Sequence, residues 1–398
     1  MATILHYDTP RAAIDIYADA VLADPYDTYR TLRDRGSAVY LEPLDAWFIG
    51  RFADVRTALN DWRTFSSAQG IGLNPIINAA WDEALICQDP PVHTERRKLI
   101  TEVLSPVALK PVAATIEERA AALADRIAAR GEFDAVADLA HDLPIGVVMD
   151  LIGWPEEVRS SLLALAEGSW NAAGPDNARM REGLTLLERM MALIADIYDR
   201  NLVLDGGFAA QLIAAARGGL VTRETAIGML AGYIVAAFET TISAMASGAW
   251  LFANNPGEWT KLRADPSLLP FVAGEIVRVE SPLQNFTRMT TVDAEMSDGR
   301  VVPAGGRVIV SYASANRDER KFEEPDCFRI DRAEKQSMGF GHGPHGCAGQ
   351  GLARMELSAV FGALAARIER FEPAGEPERV LNNIARGFRR VPLRAVAS

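Results

Sequence analysis

The chain has 398 residues, of which 49% are hydrophobic and 24% are charged, as in a folded globular protein. Its formal net charge of −12 argues against a nucleic-acid partner. The three cysteines, Cys87, Cys327 and Cys347, include no CxxC or CxxH pair, which speaks against a disulfide framework and a zinc site and fits a reducing cytoplasm. The N-terminus has no basic segment followed by an apolar core, so we expect neither a signal peptide nor a membrane anchor.

The first hundred residues predict short elements around an apolar loop. An amphipathic helix begins at Asp24-Pro25 and ends at Gly36, residues 39–41 and 47–49 form a hairpin, and residues 52–59 return to a helical period. Residues 66–81 contain glycine, proline and asparagine but also much apolar surface. Such a loop packs over a core or lines a pocket.

His93 and Arg97 follow two prolines and stand four residues apart. On a helix they share one face and can clamp an anion. The alternative is an ordinary exposed pair on a surface helix.

Residues 104–130 and 139–165 are alanine-rich and helical, and residues 170–175 interrupt the pattern. Residues 225–257 then carry a single charge, Glu239, and imitate a membrane span. Because Glu239, Thr240 and Thr241 lie in its middle and basic residues do not flank both ends, we expect a long helix buried in a soluble protein and capped by Thr222. A buried carboxylate beside a hydroxyl favours a proton relay over a threonine that only bonds a carbonyl one turn back.

Glu275 and Arg278 form an i,i+3 pair on one face of the next helix, a pattern that by itself is weak, because most such pairs are surface salt bridges. Residues 281–288 leave this helix as an extended segment. Residues 301–311 predict a strand pair broken by glycines.

Residues 337–354, SMGFGHGPHGCAGQGLAR, place Cys347 on a glycine-rich loop before an apolar-periodic segment, which predicts a helix that begins at the cysteine and runs to Phe371. The helix N-terminus and the N–H groups of the loop stabilise a thiolate, which is a good iron ligand. A buried free cysteine in a turn is the alternative.

The order Phe340, Gly341, Gly343, His345, Cys347, Gly349 resembles the haem-binding signature of the cytochrome P450 monooxygenases. The resemblance covers residues 24–393. It implies a mainly α fold with a small β region around one buried haem b, in a single domain over residues 1–398. It also implies Cys347 as the iron ligand, and its cofactor-binding set is His93, Arg97, Arg288, Phe340, His345, Cys347 and Gly349. Glu275 and Arg278 match the family's E-x-x-R motif, and the resemblance implies that Phe322, Pro325, Phe328 and Arg329 form its partner segment in a structural network.

Residues 236–241, AAFETT, look like the family's A-G-x-D/E-T motif for oxygen activation. The resemblance implies that Glu239 and Thr240 deliver protons. Ala237 stands where the family usually has glycine, and Glu239 replaces the more frequent aspartate.

Further stretches, at residues 70–74, 170–177, 280–288, 315–320 and 382–387, look similar to bacterial members that oxidise para-substituted benzoates. Those members hold the substrate carboxylate with a basic residue, where this chain has Gln69. The resemblance implies a small, mostly apolar substrate, in particular a single-ring aromatic that is hydroxylated or O-demethylated, with a terpenoid or other alicyclic as the alternative. The expected pocket residues are Gln69, Ile71, Leu73, Trp170, Tyr233, Ala236, Ala237, Leu283 and Phe286.

The chain has no flavin or dinucleotide fingerprint. The resemblance therefore implies electrons from a ferredoxin-type iron–sulfur protein with a separate NAD(P)H-dependent reductase. A basic docking patch is expected from Arg96, Arg97, Lys98, Lys335 and Arg354. A peroxide-driven enzyme, an isomerase and a non-catalytic haem sensor remain alternatives, although the acid–alcohol pair favours a monooxygenase. We expect a cytoplasmic location and no membrane or nucleic-acid partner.

Overall fold

The computed structural model describes residues 10–333 and 336–397, without the side chains of residues 156, 159, 160 and 163. These ranges contain many helices and a smaller set of short strands, as the sequence predicts. The helices are α1 (Asp19–Ala23), α2 (Tyr26–Arg35), α3 (Phe52–Asn60), α4 (Pro75–Ala80), α5 (Val92–Val103), α6 (Pro106–Arg130), α7 (Asp142–Ile152), α8 (Arg159–Ala166), α9 (Ala178–Asp199), α10 (Phe208–Arg217), α11 (Arg223–Asn254), α12 (Pro256–Ala264), α13 (Leu269–Glu280), α14 (Tyr312–Asn316) and α15 (Gln350–Ala365).

The strands form one mixed sheet and three smaller ones. They are β1 (Arg11–Ala12), β2 (Val39–Leu41), β3 (Ala46–Ile49), β4 (Phe65–Ser66), β5 (Glu132–Asp134), β6 (Asn285–Thr290), β7 (Ala294–Glu295), β8 (Val301–Val302), β9 (Arg307–Ser311), β10 (Ile368–Pro373), β11 (Glu378–Leu381), β12 (Arg386–Arg390) and β13 (Pro392–Ala397). The six-stranded sheet has the order β1-β2-β3-β9-β6-β4, and β10-β13-β5 form a three-stranded sheet. The pairs β7-β8 and β11-β12 stand alone.

The N-terminal elements follow the prediction closely. Helix α2 ends where the Gly36 N–H donates to Leu32 O, and β2 pairs antiparallel with β3. Residues 66–81 are more ordered than a loop, because Asn74 caps α4 by accepting the Ile77 N–H at 2.9 Å.

Helix α11 is the long buried helix that the sequence predicts. Thr222 accepts the Thr225 N–H, Glu224 lies in the first turn, and most of the helix is buried. By length and composition, Val92–Arg130 and Arg223–Asn254 each reach what a membrane crossing needs. A core helix of a soluble protein can be equally long and apolar. In α11, 61% of the most apolar stretch is buried inside the protein.

Two expectations about the C-terminal half are wrong. Strands β8 and β9 do not pair with each other, because β8 pairs with β7 while β9 lies between β3 and β6. Helix α15 begins at Gln350 and ends at Ala365. Phe371 belongs to β10, where its ring packs 4.7 Å from that of Trp259, so sheet pairing with β13 overrides the helical period.

Candidate active site

The loop before α15 holds its shape through glycines and backbone bonds. Gly341 and Gly343 have φ angles of 68° and 66°, and a Cβ on Gly343 would lie 2.2 Å from Leu59 O. The Cys347 N–H donates to Phe340 O at 2.8 Å, and the Met338 N–H donates to Asn316 Oδ1 at 2.6 Å. Cys347 itself is exposed and free of any disulfide.

The electrostatics of Cys347 differ in part from the expectation. The Gly349 and Gln350 N–H groups and the charge of Arg97 lower its pKa, as predicted for a helix N-terminus. Although Cys347 is accessible, the protein around the sulfur is dense, and burial outweighs these groups and raises the thiol pKa. In the polypeptide alone the thiolate is therefore not the favoured form.

Four of the predicted cofactor residues form one basic cluster. The rings of His93 and His345 lie 4.2 Å apart, and Arg97 donates to Gly346 O beside them. Arg288 is buried on β6, and its charge, like that of Arg97, lowers the pKa of His345, although burial is the larger cause. His93 has a pKa lowered to about 4, first by burial and then by Arg97.

Among the described residues neither Arg97 nor Arg288 of this cluster makes an ion pair, although Asp89 lies close enough for its charge to act on His93. Arg288 donates to the neighbouring Thr287 O at 2.8 Å and also bonds the Tyr312 hydroxyl. The Nε2 atoms of His93 and His345 are buried and have no hydrogen-bond partner. Buried donors without partners are costly, so this cluster fits an anionic group such as the carboxylates of haem b.

Helix α11 presents one stripe to open space. Gly228, Gly232, Ala236 and Thr240 recur every four residues and are exposed or half-buried, whereas most of α11 is buried. A Cβ added at Gly228 or Gly232 would meet no atom within 4 Å. The stripe leaves room for a flat group, and together with the exposed Cys347 sulfur and the basic cluster it matches what haem b requires.

The acid and the alcohol on α11 do not bond to each other. Thr240 Oγ1 donates to Ala236 O at 2.6 Å, one turn back. Asn382 Nδ2 donates to Glu239 Oε1 at 3.2 Å, and Glu239 Oε2 is buried without a partner. Burial, helped by the nearby Glu167, raises the pKa of Glu239 to about 8, while the Gly168 N–H lowers it.

The structure brings several predicted pocket residues together. The Trp170 ring lies 5.2 Å from that of Phe286, and both side chains are buried. Ile71 O accepts the Thr287 N–H at 2.8 Å, and the Leu73 N–H donates to Ala173 O at 3.0 Å. Leu283 forms a β-bridge with Ala385. These contacts join the 70–74 loop, the 169–173 turn and β6.

Other predicted pocket residues lie apart from this aromatic group. Gln69 is exposed, and its carbonyl accepts from Arg307 Nη2 at 3.0 Å. Tyr233 is buried against Phe208 at 5.3 Å, and the charge of Glu356 helps burial to raise its pKa. Ala236 lies on the open stripe of α11, and Ala237 is half-buried beside it.

The predicted segment does complete the Glu275 network, and the Arg332 side chain, which was not predicted, joins it. Arg278 binds Glu275 through two nitrogens at 2.8 Å, and Arg332 Nε donates to the same carboxylate at 3.2 Å. Arg329 contributes only its backbone N–H, at 2.9 Å, and its side chain is directed to the exposed Glu324. The stretch 382–387 was singled out from the sequence, but the bond of its buried Asn382 to Glu239 was not predicted. No local pattern marks the buried Glu356 on α15.

The predicted basic patch is smaller than expected. Arg96 pairs with Glu83 at 2.8 Å, Arg97 turns to Gly346, and Arg354 stacks over Phe340 at 4.6 Å. Lys98 is exposed. Lys335 lies outside the described residues.

Known proteins share this arrangement. A sequence model described as Cytochrome P450 matches residues 260–392. The cytochrome p450 CYP199A2 of Rhodopseudomonas palustris is 37% identical over 96% of this chain and 94% of its own length. Linalool 8-monooxygenase of Pseudomonas putida is 31% identical over 94% of this chain and 96% of its own. The crystal structure of CalO2 superposes with a TM-score of 0.84 at 26% identity, covering 96% of this chain and 98% of CalO2.

The fold and these relatives define a haem-thiolate oxygenase. The chain belongs to the cytochrome P450 family, as its identity to CYP199A2 over nearly the full length of both proteins shows. It is accordingly a monooxygenase with haem b as cofactor, and it uses dioxygen, a substrate and electrons from a redox partner.

Proposed function

We propose that this monooxygenase hydroxylates or O-demethylates a small, mostly apolar, single-ring aromatic substrate. The observation that carries the proposal is the buried aromatic group around Trp170 and Phe286, whose rings lie 5.2 Å apart. Gln69 is exposed and uncharged, so it cannot offset the desolvation of a buried carboxylate as an arginine does. The substrate is therefore a neutral phenol or ether, or a weakly held aromatic acid.

Residue roles follow from the chemistry of each group. We assign Cys347 as the iron ligand, and Phe340 and Gly349 as shaping the loop around it. His93, Arg97, Arg288 and His345 would hold the two carboxylates of the cofactor, since they are clustered, buried or half-buried donors that form no ion pair among the described residues. When bound, the haem with its thiolate ligand activates dioxygen for insertion of one oxygen atom into a C–H bond.

Glu239 and Thr240 supply protons in this proposal. Because the pKa of Glu239 is raised to about 8, its carboxyl group carries a proton near neutral pH and can donate it. The Thr240 hydroxyl donates to Ala236 O, so its oxygen lone pairs remain free to accept a hydrogen bond.

The electron donor in this proposal is a small ferredoxin with a separate NAD(P)H-dependent reductase, and the enzyme works in the cytoplasm. The exposed Lys98 on α5 supports docking of an acidic partner near the basic cluster.

A screen for substrate-induced spin change tests the substrate class. Displacement of water from the ferric iron is read as a low-to-high-spin absorbance shift. We expect strong shifts with para-substituted single-ring phenols, ethers or acids. Strong shifts with bulky terpenoids or macrolides and none with any single-ring aromatic would overturn the assignment.

A terpenoid or alicyclic substrate is the second candidate, favoured by the 31% identity to linalool 8-monooxygenase. The same screen includes acyclic and cyclic monoterpenes. Turnover with ferredoxin, reductase and NAD(P)H, compared with peroxide alone, separates a monooxygenase that depends on electron transfer from a peroxide-driven enzyme. The absence of turnover with either would favour a haem sensor.

A further inference from the structure

Asn382 lies between β11 and β12, in a turn that is fastened to the residues before β6. The Gln284 N–H donates to Ile384 O at 2.9 Å, the Arg386 N–H donates to Pro282 O at 2.8 Å, and Leu283 bridges Ala385. Asn382 is only 3% exposed. The turn is therefore a fixed platform beside the predicted pocket residue Leu283.

The orientation of the Asn382 amide is set by its own turn. Its Oδ1 accepts the backbone N–H groups of Ile384 at 2.9 Å and Ala385 at 3.0 Å. A flipped amide would place Nδ2 against these two donors, so the network fixes which side carries nitrogen. Nδ2 is thereby directed to Glu239 Oε1, at 3.2 Å.

Glu239 has few other groups to hold it. Among the described residues no cation forms an ion pair with it, the nearby charged residue is Glu167, and the Gly168 N–H lies close enough to lower its pKa. Asn382 Nδ2 is the donor whose hydrogen bond to the carboxyl group has normal geometry. Oε2 is buried and has no partner. Asn382 therefore occupies one carboxyl oxygen and leaves the other available.

We propose that Asn382 is a positioning residue for proton delivery, whose amide N–H holds Glu239 Oε1 so that Oε2 remains the oxygen that carries and releases the proton. The inference rests on the proposed role of Glu239. Asn382 acts through Glu239 and takes no proton itself, because an amide N–H does not ionise in this pH range.

Asn382→Asp is the sharpest variant. It preserves shape and the oxygen that accepts from Ile384 and Ala385, but it replaces the donor to Glu239 by an acceptor. The holoenzyme, with its ferredoxin system and the compound that gives the largest spin shift, is assayed for product per NAD(P)H and for kcat. We expect both to fall at least about threefold, less than the roughly 10²–10⁴-fold that a positioned acid contributes, because the variant misplaces the acid and does not remove it. The substrate Kd and the reduced carbon monoxide spectrum should stay unchanged.

A double-mutant cycle with Glu239→Gln shows whether Asn382 acts through the acid. We expect Asn382→Asp to cause no further loss in the Glu239→Gln background. Asn383→Ala is the matched control, because Asn383 is in the same turn but bonds Asn171 and Asn177 instead. Any loss of coupling or kcat that Asn383→Ala causes should be equal in the wild-type and Glu239→Gln backgrounds.

The possible outcomes distinguish a failure of the role proposed for Asn382 from a failure of the proton role proposed for Glu239. If Glu239→Gln keeps full coupling, the proton role of Glu239 is wrong, and the inference is overturned with it. If Glu239→Gln uncouples turnover while Asn382→Asp does not, only the inference is overturned. An equal loss from Asn382→Asp in both backgrounds also overturns it. If Asn382→Asp lacks the carbon monoxide spectrum, the uncharged Asn382→Ala replaces it with the same two expected results.

Discussion

The Thr240 hydroxyl is fixed by the helix that carries it. Its donated bond to Ala236 O, at 2.6 Å, orients the oxygen on the open stripe of α11. The bond to the carbonyl and a role in proton transfer are compatible, since a hydroxyl donates one hydrogen bond and accepts two. Ala237, where the family usually has glycine, is half-buried one turn before Thr240 on the same helix.

Thr240→Ala should lower product formed per NAD(P)H consumed, with more hydrogen peroxide released. The reason is loss of the hydroxyl that orders a proton donor at the oxygen site. Coupling is measured from product, NAD(P)H and peroxide together. Thr241→Ala is the control, because Thr241 is buried on another face of α11. Equal coupling in wild type and Thr240→Ala would remove Thr240 from the mechanism.

Cys347→Ala should abolish the thiolate-type absorption of the reduced carbon monoxide complex. Cys347 is an exposed cysteine on a loop held by the bond of its own N–H to Phe340 O. Cys327→Ala is the matched control, because Cys327 is also exposed and contributes its carbonyl, not its sulfur, to Arg278. A Cys347→Ala protein that kept the spectrum would contradict the assigned ligand.

Between elements, Glu275 joins α13 to the segment before the cysteine loop. Its carboxylate accepts from Arg278, from Arg332 and from the Arg329 backbone, and the two side chains that bind it are nearly fully buried. Such a network is expensive to break, because a removed partner leaves a buried charge uncompensated.

Arg332→Ala should lower the free energy of unfolding by about 3 kcal/mol, the range for breaking a buried ion pair. Urea unfolding of the holoenzyme, followed by circular dichroism, measures the loss. Arg329→Ala is the control and should leave the stability unchanged, since among the described residues its side chain pairs with the exposed Glu324 and Asp331. A larger loss from Arg329→Ala than from Arg332→Ala would contradict the role of the Arg332 side chain.

Glu356 on α15 makes stability depend on pH. Burial raises its pKa to about 8, and its Oε1 has no partner. Between the unfolded pKa near 4.5 and the folded value, the folded protein holds a proton that the unfolded chain has released. The stabilisation that results is complete below the unfolded pKa of Glu356 and is lost as the pH rises through its folded pKa.

Glu356→Gln should therefore flatten the decline in stability between pH 5 and pH 8, a decline of up to about 1.4 kcal/mol per pH unit for one group. Urea unfolding at several pH values checks the slope. Glu118→Gln on the exposed face of α6 is the control and should leave the slope unchanged. Parallel pH curves for wild type and Glu356→Gln would show that Glu356 is ionised in the fold.

At the scale of the whole molecule, distant parts of the chain share sheets. Strand β5 pairs with the C-terminal β13, and β3 pairs with β9. We propose on this basis that residues 1–398 form one domain. Because the chain has a net charge of −12, we expect an acidic redox partner to be attracted by the exposed Lys98 and not by the overall charge.

Lys98→Glu should raise the KM for an acidic ferredoxin by about threefold and reduce the salt dependence of turnover, because rim charges act mainly on association. Steady-state turnover against ferredoxin concentration, at low and high ionic strength, measures both. Lys110→Glu, an exposed lysine on α6, is the control. Wild-type turnover indifferent to ionic strength would contradict electrostatic docking near α5.

The sequence determined the elements whose signals are local. These elements depend on neighbours within a few residues. They are the caps of α11 and α2, the β2–β3 hairpin, and the left-handed turns that glycines give the cysteine loop. The spacing of Cys347 and its flanking residues was enough to indicate the family and the cofactor.

Tertiary structure decided what depends on contacts between distant segments. It ended α15 at Ala365, because β10 gains its partner β13 only after the chain returns. It added the Arg332 side chain to the Glu275 network, where Arg329 contributes its backbone N–H, and it brought Asn382 to Glu239 across 143 residues. It also showed that burial outweighs the helix N-terminus at Cys347. Side-chain partners and desolvation are properties of the assembled interior, and no periodicity or spacing in a single sequence contains them.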